Sequence, residues 1–383
     1  MGRSVVRLLL GVLLALALGS GTLASAAARL RQDATTWHVK VGGESDDHAL
    51  QAQAFLPTTI TINEGDTINW TMNAAFVHTV TFLSGGPPPP EPIPAGEDNL
   101  LMLNPQNAFP VGGPTYDGTG FVGSGILDGK GASFSLTFTK AGTYGYVCML
   151  HPGMAGTVVV QPAGSPYPMT QAQVDAQANT ELYAKLSFAN QQLTSVQPAA
   201  QANPDGTKTY TVINGIGGNQ ATVLRFLPVN LTIKAGDSVA FPVQDPHEIH
   251  TVTFYDPSGP VPPFLDPRPQ PSGPPKLIIP HALPEGGTRV ESQGLYNSGI
   301  LGPGQSYTFT FPKPGVYSYV CVIHAPQGMF GTITVEAAAP PARLPGTGGA
   351  GLPAGLALGA LSLLAAGAAL TWGVRRTIAA SMR

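Results

Sequence analysis

Residues able to hold a soft, redox-active metal occur together twice in this chain. The first group lies in YGYVCMLHPGM at 144–154 and the second in YSYVCVIHAPQGM at 317–329. About seventy residues before each cysteine stands the pentapeptide HTVTF, at 78–82 and at 250–254. Each half thus offers one early histidine, then a cysteine, a histidine and a methionine in one loop. The sets are His78, Cys148, His151 and Met154, and His250, Cys321, His324 and Met329. Two imidazoles, a thiolate and a thioether make up a type 1 (blue) copper site for electron transfer, a trigonal His2Cys plane with a weak axial Met. The thiolate selects copper over hard cations, and imidazole suits both Cu(I) and Cu(II). The chain has two cysteines, one in each copy, a placement that argues against a disulfide between them.

Such ligands need a rigid frame, and the sequence repeats one. Phe55-Leu56-Pro57, Thr61-Ile62, Gly65-Asp66 and Trp70 recur as Phe226-Leu227-Pro228, Thr232-Ile233, Gly236-Asp237 and Phe241. Ser124-Gly125-Ile126-Leu127 recurs as Ser298-Gly299-Ile300-Leu301, and SFSLTFTKAGTYGYVC matches SYTFTFPKPGVYSYVC. These segments alternate apolar and polar residues at period two, with turn residues between them. Tyr144, Tyr146 and Cys148 fall on one strand face, as do Tyr317, Tyr319 and Cys321. The reading is all-β: two β-sandwiches, at 35–162 and 205–337, with each metal loop joining the last two strands. Between the early His and the Cys, each half inserts a long Pro/Gly-rich stretch, 84–120 and 256–292, expected as irregular excursions covering one end of the sandwich. Residues 163–204 form the interdomain linker. Within it, 169–196 lacks Gly and Pro and starts at the N-cap candidate Thr170, which predicts a helix. Val174, Leu182, Leu186 and Leu193 would rest on one domain, or the helix would stand exposed as a spacer.

Composition and ends place the chain in the cell. A length of 383 residues allows two domains plus extras, and 11% charged residues with a net charge of −3 give no sign of a nucleic-acid partner. Residues 1–28 read as a signal peptide: Arg3 and Arg7, an apolar run at 8–18, then small residues, with cleavage expected between Ala26 and Arg29. At the other end, 338–348 is a Pro/Gly linker containing Leu344-Pro345-Gly346-Thr347-Gly348. The uncharged stretch 349–374 is long enough to span a bilayer, and the basic tail 375–383 would lie in the cytoplasm. The LPGTG run resembles a sortase signal for cell-wall attachment; the other reading is a plain juxtamembrane linker. Both put the body of the protein at the outer face of the membrane.

With these motifs assembled, the halves resemble cupredoxins of the plastocyanin, amicyanin and halocyanin kind. The Cys-x2-His-x2-Met loop of the first is similar to that of amicyanin, and the Cys-x2-His-x4-Met loop of the second to that of plastocyanin. The resemblance implies two Greek-key sandwiches joined by the helical linker, each holding one copper near one end. It implies that His78 and His250 ligate through Nδ1 from the buried side. Cys148 and Cys321 would give the short thiolate bond, and Met154 and Met329 would be axial. His151 and His324 would reach the surface, where their ring edges pass electrons to redox donor and acceptor proteins. The His-to-Cys insertions are longer than in single-domain plastocyanins, which changes the docking face.

Paired cupredoxin domains also build copper oxidases and nitrite reductases, which wire a second copper through a His beside the blue-copper Cys. Here Cys148 is flanked by Val147 and Met149, and Cys321 by Val320 and Val322. His247 is the one spare imidazole nearby, read as a polar loop residue. A copper-delivery protein would carry exposed Met- or His-rich tracts, and only eight Met occur. The expected function is therefore an electron carrier, not an enzyme.

Overall fold

The computed structural model describes residues 33–96 and 99–338. The expected signal peptide, LPGTG motif, apolar segment 349–374 and basic tail lie outside these residues. Among the described residues, no helix is long and apolar enough to cross a membrane.

Alternation builds the strands. In Thr67–Met72, Ile68, Trp70 and Met72 point inward while Thr67, Asn69 and Thr71 do not, and Ser133–Phe138 beside it follows the same rule. Inward residues of the two layers meet in an aromatic core: Trp70 lies 5.4 Å from Tyr146 and 5.9 Å from Phe82, centroid to centroid. The second half repeats this, with Phe241 5.4 Å from Tyr319 and Phe254 5.2 Å from Tyr319. In each half the strand that carries the cysteine (Gly142–Val147, Gly315–Val320) pairs antiparallel with the strand after the loop (Ala155–Gln161, Phe330–Glu336). Those pair in turn, in parallel, with Thr59–Asn63 and Asn230–Lys234. The all-β reading with two repeats therefore holds.

The halves are not separate beads. Leu50–Leu56 of the first half pairs antiparallel with Ala221–Leu227 of the second, Ala52 opposite Ala221 and Leu50 opposite Val223. One seven-stranded sheet thus runs through both halves. Two alanines face each other at this seam, so the backbones close without a side chain between them.

The helix spans Gln171–Ser195, and Thr170 and Gln173 make a reciprocal capping box. It neither rests on one domain nor stands free. Val174 enters the first core, and Ala178 and Leu182 pack on Ala54 and Leu56. Phe188, Ala189 and Leu193 pack on Ile213, Ile216 and Val223 of the second half. It is a strap across the seam, and its apolar residues divide between two partners.

The insertions also differ from expectation. Ile93–Pro94 and Leu101–Met102 of the first pair with Lys276–Ile279 and Asp266–Arg268 of the second in one four-stranded sheet. They are a joint structure spanning both halves, not two irregular covers.

Substituting Ala221→Arg would force an unpaired guanidinium against Ala52. The expected loss is roughly 3 kcal/mol, with one calorimetric unfolding transition splitting into two as the halves uncouple. A single, unshifted transition would show that the seam contributes nothing to cooperativity.

Candidate metal centres

Each early histidine sits beside a short bridge that fixes its backbone. His78 N–H donates to Leu127 O and Leu127 N–H returns to His78 O, while His250 and Leu301 do the same. Both rings are fully buried, and each lies against a glycine with positive φ. A Cβ on Gly42 (φ 69°) would come within 2.6 Å of His78 Nε2, and one on Gly215 (φ 77°) within 2.1 Å of His250 Nε2. Only glycine leaves room for the ring and accepts that backbone at once.

The loops close on themselves. Cys148 N–H donates to Met154 O and Met154 N–H to His151 O, at 2.9 and 3.1 Å. In the second site Cys321 N–H reaches Met329 O at 3.1 Å, and the two additional residues are taken up by a 3-10 turn, Ala325–Gln327, ending at left-handed Gly328. Thr79 and Thr251 serve the sulfurs: their N–H groups donate to Cys148 Sγ and Cys321 Sγ at 3.3 Å each. Their hydroxyls accept from the N–H of Met149 and of Val322.

This framing brings six predicted donors together in two groups. Cys148 Sγ lies 3.3 Å from His151 Nδ1 and 3.9 Å from His78 Nδ1, and the two Nδ1 atoms are 3.0 Å apart. Cys321 Sγ lies 3.3 Å from His324 Nδ1 and 3.9 Å from His250 Nδ1. Such spacings suit three ligands each roughly 2.0–2.3 Å from one first-row metal ion. Met154 and Met329 are buried in the same core clusters as their cysteines. The cysteines are free and buried.

The family model described as copper binding proteins, plastocyanin/azurin family, matches residues 38–161 and again 212–336. The plastocyanin of Scenedesmus fuscus is 33% identical over 125 residues, 32% of this chain and 97% of that protein. The chloroplast plastocyanin of Tetradesmus obliquus is 33% identical over 134 residues, 34% of this chain and 72% of that protein. Among solved structures, a reduced amicyanin mutant aligns at 25% identity over 35% of this chain and 89% of its own, with a TM-score of 0.21.

The chain belongs to the plastocyanin/azurin family of copper-binding proteins. It carries the family's domain twice, and its two His-Cys-His groups fit two type 1 copper sites.

Three of the four imidazoles are held in the neutral state that this cupredoxin donor set requires. Burial pushes His78 down to about 3. Burial, then the neighbouring imidazoles, holds His151 and His250 well below the usual histidine range. These rings stay neutral and keep a lone pair for a cation. Burial also raises the Cys148 thiol, so a metal is needed to stabilise its thiolate. In the second site burial opposes charge, but Cys321 and His324 stabilise each other as thiolate and imidazolium. Cys321 is therefore lowered and His324 raised to about 10, with Glu248 adding to the latter.

One expectation drawn from single-domain cupredoxins fails. His151 and His324 do not reach the surface: they are 1% and 0% exposed and turn toward each other across the seam between the halves. The Glu248 carboxylate stands between them, Oε2 at 3.4 Å from His151 Nε2 and Oε1 at 3.6 Å from His324 Nε2. Phe76 fills the same gap, its ring centroid 5.2 Å from that of His151 and 4.9 Å from that of His324. Gln53 Nε2 and Ile249 N–H also donate to Glu248. His247 Nδ1–H donates to Pro152 O, 3.0 Å away, and His247 belongs to neither donor group. Phe76 and Glu248 were not singled out in the sequence. The available signal is that both stand two residues before an early histidine, so the repeats differ at matching positions.

Gly215→Ala is expected to displace His250 and lower bound copper from two per chain to one, leaving the first site intact. Gly42→Ala should do the reverse. Metal quantitation of the two variants reads this directly, and retention of both coppers would mean the glycines are not needed for ring placement.

Proposed function

We propose that this chain is a two-centre electron relay in which the donor sets His78, Cys148, His151, Met154 and His250, Cys321, His324, Met329 each hold one copper, and electrons cross between them through the seam. Copper bound in these sites supplies a one-electron couple. The observation that carries the reading is the burial of His151 and His324 face to face, bridged by Glu248 and Phe76. The folded sandwiches restrain the ligands, and the burial of His151 and His324, 1% and 0% exposed, keeps bulk water from the imidazole edges.

The carrier reading is favoured over a copper oxidase or nitrite reductase. No histidine flanks Cys148 or Cys321, and among the described residues no further group of three His, Cys, Asp or Glu donors converges. A delivery role is disfavoured because all six His and Cys donors are buried, which opposes exchange. Localisation at the outer face of the membrane is supported by the leader-like first 28 residues and the apolar stretch 349–374. There the chain would meet redox donor and acceptor proteins, with a sortase as a further partner if LPGTG is cut. Sequencing the mature C-terminus separates the cases: an end at Thr347 means sortase cleavage, and an intact Arg383 means a membrane anchor.

The protein should bind two coppers and be intensely coloured when oxidised. Cys148→Ser should remove about half the visible absorption, and Cys321→Ser the other half. A redox titration should resolve two distinct one-electron steps, because the second loop has the 3-10 turn that the first lacks and the seam presents unlike residues to the two sites. A single step for two equivalent coppers would remove the basis for a directed relay.

Glu248 places a carboxylate beside both imidazoles and favours the more positive, oxidised state of each site. Glu248→Gln should therefore raise both midpoints, each by on the order of 60 mV, one decade for a one-electron couple. A shift confined to one step, or none, would mean that the carboxylate does not act on both centres.

A further inference from the structure

The two insertions and the two metal loops enclose a cavity of about 910 Å³. Its floor includes Met149 and Ile323, which lie next to the copper-binding residues, and its far wall includes Phe264 and Ile279 from the second insertion. The wall is built for it. In Lys276–Ile279, Ile278 packs with Ala95 and Met102, whereas Leu277 and Ile279 line the cavity. The volume lies within the range of sites that hold small organic molecules, and such sites are mostly apolar with a few converging polar groups.

We propose that this cavity binds a small, uncharged aromatic ring bearing a hydroxyl group, a phenol or a hydroquinone, with the hydroxyl donated to Glu91. The charged side chains on its lining are carboxylates (Glu91, Asp128, Glu248), with no Lys or Arg among them, so an anion is repelled. Water is a poor occupant of a lining this apolar, because each molecule needs two to four polar partners. An ammonium ligand would lose its hydration in return for carboxylates of which Glu91 and Glu248 already accept hydrogen bonds. Glu91 accepts from Asn104 N–H through both oxygens, at 3.2 and 3.1 Å, and from Asn107 Nδ2 at 3.0 Å. Oε2 takes two of these bonds and Oε1 one, so Oε1 keeps a lone pair that a neutral O–H can fill without desolvating a new charge. Pro, Phe and branched aliphatic side chains from both insertions favour a flat, rigid ring over a flexible chain, because less rotamer freedom is lost on binding. Phe76 and His151 also line the cavity.

The claim concerns binding, and calorimetry tests it independently of electron transfer. Copper-loaded, reduced protein is titrated with 4-propylphenol, propylbenzene and 4-propylbenzoate. The expectation is one saturable site for the phenol, and at least tenfold weaker binding of the other two. Val261 lines the cavity and is 38% exposed, so Val261→Trp can fill the cavity from its rim without burying a new group in the core. It should weaken the phenol at least tenfold while leaving copper content and the oxidised visible spectrum unchanged. Glu91→Leu should abolish the preference for phenol over propylbenzene. Absence of saturable binding, or unchanged binding in Val261→Trp, overturns the site. Equal or tighter binding of propylbenzene, or a phenol preference that survives Glu91→Leu, overturns the assigned ligand class.

Discussion

A carboxylate buried between two imidazoles governs much of this architecture. Taking an ionised Glu out of water is costly unless hydrogen bonds and opposite charge replace its hydration. Glu248 is 2% exposed, and its partners come from both halves: Gln53 and His151 from the first, Ile249 N–H and His324 from the second. If the halves separated, that set would be broken and the carboxylate would be left half-satisfied in an apolar surface. The arrangement is stable only while the seam stays closed.

Three devices keep it closed, each with a different physics. Backbone ladder bonds join Leu50–Leu56 to Ala221–Leu227, an interaction indifferent to most side-chain changes. The helix Gln171–Ser195 adds apolar burial on both sides of the same seam. At the metal end, Arg225 reaches across, its guanidinium donating to Gln327 O and to Asp47 O. Gln220 Nε2 likewise donates to Gly153 O in the first metal loop, so the loop that carries His151 is braced by the opposite half.

The two His-Cys-His groups were legible in the sequence because the cysteine and one histidine of each lie in one loop, and because the repeat presented them twice. The sandwich strands were legible from period-two alternation. The seam was not. Gln51 and Gln53 are polar residues of a strand, yet they are 2% and 1% exposed. Gln53 is made tolerable by Glu248, 195 residues away, and a single sequence carries no mark of such a pair. The insertions were read as irregular because their strands are short and Pro-rich, and because the pairing that joins them, Ile278 with Met102 and Ile279 with Leu101, is made between the two insertions. The burial of His151 and His324 was missed for the same reason: each ring is covered in part by residues of the other half, Glu248 over His151 and Phe76 over His324.

The occupants of the seam also bear on why one chain carries both domains. Phe76 and Glu248 hold matching places in the two repeats, and both reach the space between His151 and His324. Two identical subunits meeting about a twofold axis would place the same residue there twice. Two carboxylates would repel one another in a dry gap, and two phenyl rings would leave no charge beside either imidazole. Joining the copies covalently releases each position from copying the other. One ring and one carboxylate can then share a space that strict symmetry would have filled with a pair.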